Sequence, residues 1–314
     1  MPRVVRNGIH GVLLLDKPPG LSSNVALQRV RRLFGWAKAG HTGTLDPLAT
    51  GLLPVCLGEA TKFSHALLDA DKSYETVLRF GHTSSTGDAE GEIRPTGAPA
   101  PSAAAIEFAL AGFLGIQRQV PPMHSALKRD GRPLYEYARQ GQDVPREARE
   151  IVVHAIELVR ASPPDAAVVR VRCSKGTYVR VLGEDIGRAL GCGAYLLELR
   201  RTGIADLDVA DAMTLERLEA MAPDERPGRL LPMDRLLQDL PSRRLDADSA
   251  QRVRHGLPAA AQGASPGLLR LYDPAGGFLG LGEVRADGAL APRRLVSEPD
   301  PATKPPAGSA SKPE

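Results

Sequence analysis

The chain has 314 residues, 42% of them hydrophobic and 25% charged, which is typical of a globular protein with one large domain and a small one. Its net charge of +3 does not by itself indicate nucleic-acid binding, so local charge must decide that question. Three widely spaced cysteines, Cys56, Cys173 and Cys192, argue against a disulfide framework or a zinc site.

The first predicted element is a short buried strand at the start of HGVLLLDKPPGLSS, residues 10–23. A Pro-Gly turn follows it and leads to a helix cap at Ser22 or Ser23. Ala26 and Val30 lie on the apolar face of the helix that comes next. The apolar run is too short for a signal peptide, and no stretch has the length of a membrane span. We therefore expect a soluble cytoplasmic protein.

The next segment, HTGTLDPLATG at positions 41–51, is predicted to be a loop that holds Asp46 in a fixed orientation. Its glycines, with Gly40 just before it, allow unusual backbone angles or the close approach of a ligand. Pro47 favours an extended backbone at Asp46. A lone carboxylate can act as a nucleophile or as a general acid or base. The same residue could also simply start a turn or cap a helix.

After this loop we expect a strand, a helix from about Ala60, and a second strand from about Tyr74 to Phe80. Residues 83–102 are rich in Gly, Asp, Glu, Pro and Ser, which predicts a surface loop. A further helix is predicted at about 102–114.

Two later segments carry many basic residues. Residues 121–150 mix arginines and tyrosines with nearly as many acidic residues, so they fit an RNA-contacting arm and a mobile, solvated helical arm about equally well. Residues 168–180 contain four basic residues and no acidic one. They predict a half-buried strand with a basic face, a turn at 174–177 and a helix ending near Gly191. We expect a positive local field there.

After about residue 240 the sequence changes to short apolar runs joined by Gly and Asp, which predicts a small β module. Residues 298–314 have five prolines and no large apolar residue, so we expect disorder. The chain has no phosphate-binding loop, dinucleotide fingerprint, HExxH motif or nucleophile elbow. Neither a metal nor another cofactor is therefore expected.

Five blocks of the sequence closely resemble the TruB-type tRNA pseudouridine synthases in their bacterial, stand-alone form. They cover about residues 9–205 in the order expected of that family, and a fainter match follows in GLGEVRADGALAPRRLV. The blocks are GVLLLDKPPGLSSN, AGHTGTLDPLATGLLPVCLGEATKF, DKSYETVLRFG, LYEYARQG and CSKGTYVRVLGEDIG.

The resemblance implies an α+β fold, in which a mixed, largely antiparallel central sheet is flanked by helices. It implies a catalytic domain over residues 1–240, with a thumb-like, RNA-clamping insertion at 121–150. A small PUA-like β module would follow at 241–297, and the disordered tail at 298–314.

The activity implied is the isomerisation of uridine 55 in the TΨC arm of tRNA to pseudouridine, after the nucleotide has been flipped out of its stack. This intramolecular transfer needs no cofactor, and neither a guide RNA nor an oligomer is expected. A tRNA-folding activity could accompany it. Two alternatives remain: an RNA-binding or RNA-folding module without chemistry, and a dyskerin-like, guide-RNA-dependent synthase.

The resemblance also assigns roles to six residues. Asp46 aligns with the essential aspartate of the family, and Arg180 with the arginine that pairs with it. His41 aligns with the histidine that helps to disrupt the loop and hold the flipped nucleotide. The remaining three, which would stack on the flipped base, line its pocket and wall it, are Tyr74, Tyr178 and Leu199 respectively.

A second group of residues is expected, on weaker grounds, to contact RNA or to serve as structural charges. His124 stands where relatives often carry Tyr in the thumb. The full group is Lys17, Lys62, His124, Lys128, Arg129, Arg132 and Lys175.

Overall fold

A mixed sheet of ten strands is the framework of the larger part of the chain. It is seen in a computed structural model, which describes residues 8–162, 164–261, 263 and 265–297. The disorder predicted for 298–314 lies outside the described residues. No helix in the described part of the chain combines the length and apolar character needed to cross a membrane.

The strands and helices have the following bounds. The strands are β1 (Gly11–Lys17), β2 (Ala39–His41), β3 (Thr50–Leu57), β4 (Lys72–Phe80), β5 (His82–Ser84), β6 (Ile93–Pro95), β7 (Gly115–Gln119), β8 (Lys128–Arg129), β9 (Arg132–Pro133), β10 (Arg149–Ser162), β11 (Ala166–Cys173), β12 (Ala194–Ile204), β13 (Leu207–Asp208), β14 (Met213–Thr214), β15 (Ser242–Arg244), β16 (Ala259–Ala260), β17 (Gly267–Tyr272), β18 (Phe278–Val284) and β19 (Ala289–Leu295). The α-helices are α1 (Ser23–Leu33), α2 (Ala103–Ala111), α3 (Leu134–Arg139), α4 (Val179–Ala189), α5 (Leu215–Ala220) and α6 (Ala247–Arg254).

The large sheet has the order β14-β1-β3-β12-β4-β11-β10-β7, with β2 on β3 and β13 on β12. Only the β1–β14 and β3–β12 pairs are parallel, so the sheet is mixed and largely antiparallel, as expected. Strand β12 comes late in the chain but lies between two early strands, β3 and β4. The α+β fold is thereby confirmed.

The start of α1 is fixed by the cap that the sequence indicated. Ser22 is the N-cap, and its side chain accepts a hydrogen bond from Val25 N. The helix buries Ala26, Leu27 and Val30 in the main core, where they pack with residues of β1 and β3. This packing anchors Ser23, the first residue of the helix, which hydrogen-bonds Leu45 in the loop after β2.

The helix predicted from about Ala60 is a short 3-10 helix, Gly58–Phe63, followed by turns. Two hydroxyls explain the tighter winding. Thr61 Oγ1 donates to Gly58 O and Ser64 Oγ donates to Thr61 O, each three residues back.

The predicted surface loop at 83–102 contains a small hairpin instead, in which β5 pairs with β6. Its connection is organised by Asp88. The Asp88 side chain accepts from Thr86 Oγ1 (2.6 Å) and from Glu90 N (3.0 Å), while Ser84 Oγ donates to Asp88 O (2.6 Å). Turn-forming residues thus build an ordered structure around one buried carboxylate.

The positive field expected at 168–180 is reduced, because neighbouring segments supply carboxylates to its cations. Arg170 pairs with Glu75 and Glu157, one on each flanking strand. Arg172 lies 3.9 Å from Asp71, and Lys175 lies 2.8 Å from Asp69. The basic face of β11 is therefore largely neutralised.

A second sheet, with the order β15-β17-β18-β19-β16, has its own core and begins at Ser242. It contacts the first part of the chain through Phe63 and Phe278, whose ring centroids lie 5.5 Å apart. Lys62 Nζ also donates to Leu295 O (2.9 Å) while pairing with Glu59. The domain boundary near residue 240 stays a prediction.

Gly51 marks the closest approach of β3 to β12. Its φ is +99°, and a Cβ there would lie 2.2 Å from Arg201 O. Gly51→Ala is therefore expected to lower the free energy of unfolding by more than about 2 kcal/mol, measured by urea denaturation. Gly40→Ala is the control, because Gly40 has no neighbour within 4 Å of such a Cβ. Equal losses in the two variants would contradict the steric argument.

Candidate active site

A cavity of about 390 Å³ opens between the loop after β2, the β5–β6 hairpin, the 121–150 segment and the start of α4. It brings together five of the six residues with assigned roles, and His124 from the weaker group. His41 is not among the lining residues. The cavity is lined by Thr44, Leu45, Asp46, Pro47, Tyr74, Thr86, Asp88, Glu90, His124, Ser125, Ala126, Tyr135, Arg139, Thr177, Tyr178, Val179, Arg180 and Leu199.

The loop that carries Asp46 is held from both sides of that residue. Leu45 N donates to Ser23 Oγ (2.7 Å), and Ser23 Oγ donates to Leu45 O (3.0 Å). On the other side, Gly20 N donates to Pro47 O (2.9 Å). The buried first turn of α1 and the turn before it therefore fix the position of the carboxylate.

Lys17 takes part in the same support and has a structural role. Its side chain is fully buried, and Nζ donates to Pro18 O (2.9 Å), Leu21 O (2.6 Å) and Pro47 O (3.3 Å). Burial lowers the pKa of Lys17 to about 8. Of the two roles expected for Lys17, a structural charge or an RNA contact, the structure favours the structural one, because the ammonium is enclosed by carbonyl groups and the residue has no exposed surface.

Arg180 is the centre of the polar network. Its Nε lies 3.0 Å from Asp46 Oδ2 and 3.5 Å from Asp88 Oδ2. Its two terminal nitrogens donate to Thr86 O (3.0 Å) and His124 O (2.7 Å). The side chain is buried, and this one guanidinium joins three separate segments of the chain to α4.

Asp88 was missed by the sequence analysis. Only 2% of it is exposed, and it shares the guanidinium of Arg180 with Asp46. Nothing in its local sequence distinguishes it from an ordinary turn aspartate. It becomes a site residue only because Arg180, some ninety positions later, reaches it.

The environment of Asp46 combines an ion pair with dehydration. Burial raises the pKa of its carboxyl above the usual value, and the nearby charge of Asp88 acts in the same direction. The charge and hydrogen bond of Arg180 oppose this shift without cancelling it. The carboxylate is consequently more basic than an exposed aspartate and is oriented by a fixed cation.

This raised pKa leads to a prediction about stability. Because the folded chain binds the Asp46 proton more tightly than the unfolded chain, ionisation of Asp46 lowers the free energy of unfolding as pH rises through its folded pKa. Asp46→Asn is therefore expected to melt at a higher temperature than the wild type at neutral pH. The difference should vanish below about pH 4, where both states are protonated. Melting curves from about pH 4 to 8 test this, and a lower Tm for Asp46→Asn at neutral pH would contradict it.

A second buried arginine, Arg201, supports the loop and Tyr74, and it too was missed. Its Nε donates to Leu52 O (2.7 Å) and its Nη2 to Gly43 O (3.3 Å), so it ties both ends of the loop to β12. Arg201 also hydrogen-bonds the Tyr74 side chain. Burial raises the pKa of Tyr74, so its hydroxyl stays neutral.

Tyr178 is the N-cap residue of α4 and is held through its backbone. The Gln119 side chain accepts from Tyr178 N (2.7 Å) and donates to Tyr178 O (3.1 Å), while burial raises the pKa of the tyrosine. Leu199, on β12, is 8% exposed and gives the cavity an apolar wall. The rings of Tyr74, Tyr135 and Tyr178 and the aliphatic side chain of Leu199 thus line the cavity around the Asp46–Arg180 pair.

His41 lies at the end of β2, in front of the loop. Burial lowers its pKa, and its buried Nδ1 has no hydrogen-bond partner among the described residues. Its predicted part in holding a flipped nucleotide stays a prediction.

The rest of the weaker group is mostly exposed. Lys128, Arg129 and Arg132 lie on the β8–β9 hairpin, and the guanidinium of Arg132 stacks 4.8 Å from the ring centroid of Tyr137. Lys175 pairs with Asp69, as described above. The described residues contain no group of three or more His, Cys, Asp or Glu side chains placed to hold a metal ion.

Comparison with protein families gives three matches in chain order. Residues 31–179 match the TruB family pseudouridylate synthase N-terminal domain. Residues 180–238 match the tRNA pseudouridylate synthase B C-terminal domain. Residues 241–296 match the domain described as pseudouridine synthase II TruB, C-terminal.

Two of the similar curated proteins illustrate the match, and both are named tRNA pseudouridine synthase B. The one from Burkholderia mallei (strain ATCC 23344) is 54% identical over 302 residues, covering 94% of this chain and 96% of the relative. The one from Cupriavidus metallidurans is also 54% identical, over 304 residues, with the same coverage.

Solved structures with the same fold include a chain of a Cbf5-Nop10-Gar1 complex. It is 25% identical with a TM-score of 0.70, over 94% of this chain and 87% of that one. A chain of an H/ACA RNP bound to a substrate RNA containing 2'-deoxyuridine is 23% identical with a TM-score of 0.69. It covers 96% of this chain and 89% of that one, and shares the fold.

Proposed function

The chain belongs to the TruB family of pseudouridylate synthases, and from this we propose that it converts uridine 55 in the TΨC arm of tRNA to pseudouridine, with Asp46 as its catalytic carboxylate. The observation that carries the proposal is the cavity around the Asp46–Arg180 pair. The name of its 54% identical relatives supports tRNA as the substrate.

The cavity has a size and lining suited to one flipped nucleotide. Its volume of about 390 Å³ is that of a small-ligand site, and Tyr74, Tyr178 and Leu199 offer flat or apolar surfaces to a base. Flipping a nucleotide costs a few kcal/mol, and base–aromatic stacking returns about 1–3 kcal/mol per base. The aromatic lining therefore offsets much of the cost of extracting the uridine.

The reaction breaks the N1–C1′ bond, turns the uracil and joins C5 to C1′; the C5 proton is released and N1 takes up a proton, so that the product is an isomer of the substrate. A carboxylate can attack the sugar C1′, attack the base or remove a sugar proton, and all three routes require Asp46 to be ionised. Arg180 favours that ionised form, while burial makes the carboxylate a stronger base.

We propose that the enzyme acts in the bacterial cytoplasm, as a monomer and without a guide RNA. Family matches along the whole of residues 31–238 support the stand-alone form over a guide-dependent one. A tRNA-folding activity is proposed beside the chemistry, because opening and reclosing the arm is part of extracting the uridine.

The test uses unmodified tRNA tritiated at uridine C5. The protein is expected to release tritium from this tRNA alone, and from one position only. The control is the same transcript with cytidine at position 55, from which none should be released. Equal release from both transcripts would exclude uridine 55 as the target, and no release from either would exclude the reaction.

A further inference from the structure

The only tryptophan of the chain stands exposed on the surface, outside the cavity. Trp36 is 54% exposed and follows the end of α1 with a φ of +62°. Its backbone N donates to Arg31 O (2.7 Å), which fixes the ring's point of attachment at the helix end. A bulky residue in the left-handed region is a true outlier, and such strain is found preferentially at functional sites.

Cations surround this ring. The guanidinium carbons of Arg31 and Arg32 lie 5.8 and 5.7 Å from the ring centroid, and Lys38 is exposed two residues further on. We call Arg31, Arg32, Trp36 and Lys38 the Trp36 patch. Both distances lie within the range of a cation–π interaction, so the indole is flanked by two positively charged guanidinium groups.

The charge of the Trp36 patch is not compensated. No acidic residue occurs between Lys17 and Asp46, and none of the three cations forms an ion pair with any residue that the structure describes. The basic strand β11 is different, because its arginines are paired with carboxylates. Unpaired positive charge is therefore concentrated at the end of α1.

The Trp36 patch is rigidly connected to the catalytic framework. Lys38 directly precedes β2, and Lys38 O accepts from Gly58 N (2.7 Å). Strand β2 ends at His41, where the loop to Asp46 begins, so the three residues of β2 connect Lys38 directly to that loop. None of its four residues lines the cavity.

We propose that the Trp36 patch binds substrate RNA outside the stem-loop that enters the cavity. In this interaction Trp36 stacks on an unpaired base while Arg31, Arg32 and Lys38 contact the flanking phosphates. An exposed indole between cations is the chemistry that recognises single-stranded RNA segments. The inference rests on the proposed tRNA substrate and extends it to a second contact on the same molecule.

Because Trp36 is the only tryptophan, its fluorescence reports this contact directly. Titration of the wild-type chain with full-length tRNA is expected to quench the emission, whereas an isolated TΨC stem-loop should leave it nearly unchanged. Trp36→Asn, which tolerates a positive φ, is expected to raise KM for full-length tRNA about five- to a hundredfold. Its kcat, and its KM for the stem-loop, should stay as in the wild type.

Phe108→Ala is the matched control. Phe108 is 85% exposed on α2, so the substitution removes an exposed aromatic ring outside the Trp36 patch. Its KM should not change. Arg31→Gln with Arg32→Gln should reduce the slope of log affinity against log salt by about 2.

The proposal is overturned if full-length tRNA leaves the fluorescence and the KM of Trp36→Asn unchanged. It is also overturned if the stem-loop quenches as strongly as tRNA, or if only anionic vesicles do. Wild-type tritium release from the stem-loop is measured in the same series. If release persists while Trp36 is silent, this inference fails and the proposed function stands.

Discussion

Asp46→Asn is expected to lower tritium release from C5-tritiated tRNA by at least about 10³-fold, because the neutral amide can neither attack carbon nor accept a proton. The substitution keeps the size of the side chain and leaves Arg180 paired with Asp88. Binding of tRNA, measured by filter retention, should therefore stay within a few-fold of the wild type, and any tRNA-refolding activity should persist.

The control for this substitution makes the same chemical change away from the cavity. Asp206 is exposed and pairs with Arg235, so Asp206→Asn should release tritium at the wild-type rate. If Asp46→Asn retains activity comparable to that control, the carboxylate is not catalytic. Residual refolding without any tritium release from the wild type would favour the RNA-folding module instead.

Arg180→Met is expected to be destabilising as well as inactivating. Removing the guanidinium leaves the buried Asp88 carboxylate without its cation beside the partly exposed Asp46, and leaves two carbonyl oxygens without their donor. Breaking a buried pair in this way costs about 3–5 kcal/mol in the free energy of unfolding. Urea denaturation at neutral pH measures the loss.

Two further variants separate the causes. Arg188 lies on the same helix and pairs with Asp185 at the surface, so Arg188→Met should cost less than about 1 kcal/mol. Adding Asp88→Asn to Arg180→Met removes one unpaired charge and should recover part of the lost stability, but not the activity. A double variant no more stable than Arg180→Met would argue against charge burial as the cause.

The position of Asp46 could be predicted from the sequence because the determinants are local. The glycines at 43 and 51, both with positive φ, lie within the loop itself. Gly40, by contrast, lies in β2 without a positive φ. The resemblance to a known family added the distant members Tyr74 and Arg180, which do line the same cavity.

The features that sequence reasoning missed all depend on contacts between distant segments. Asp88 and Arg201 become site residues only through partners about ninety to one hundred and sixty positions away. The charge of β11 was misjudged for the same reason, since the compensating carboxylates belong to other strands. Charge counted along a window cannot include what pairing across a sheet supplies.

The place of β12 between β3 and β4 has a consequence for synthesis of the chain. Strand β3 ends at Leu57 and β12 at Ile204, so ribosomes must add about 150 more residues before the gap can close. At typical elongation rates this takes roughly 7–30 s, during which the facing edges of β3 and β4 lack their central partner. The nascent chain thus carries two open strand edges for less than half of its production, and ribosome-bound chaperones should be found on it chiefly over that interval.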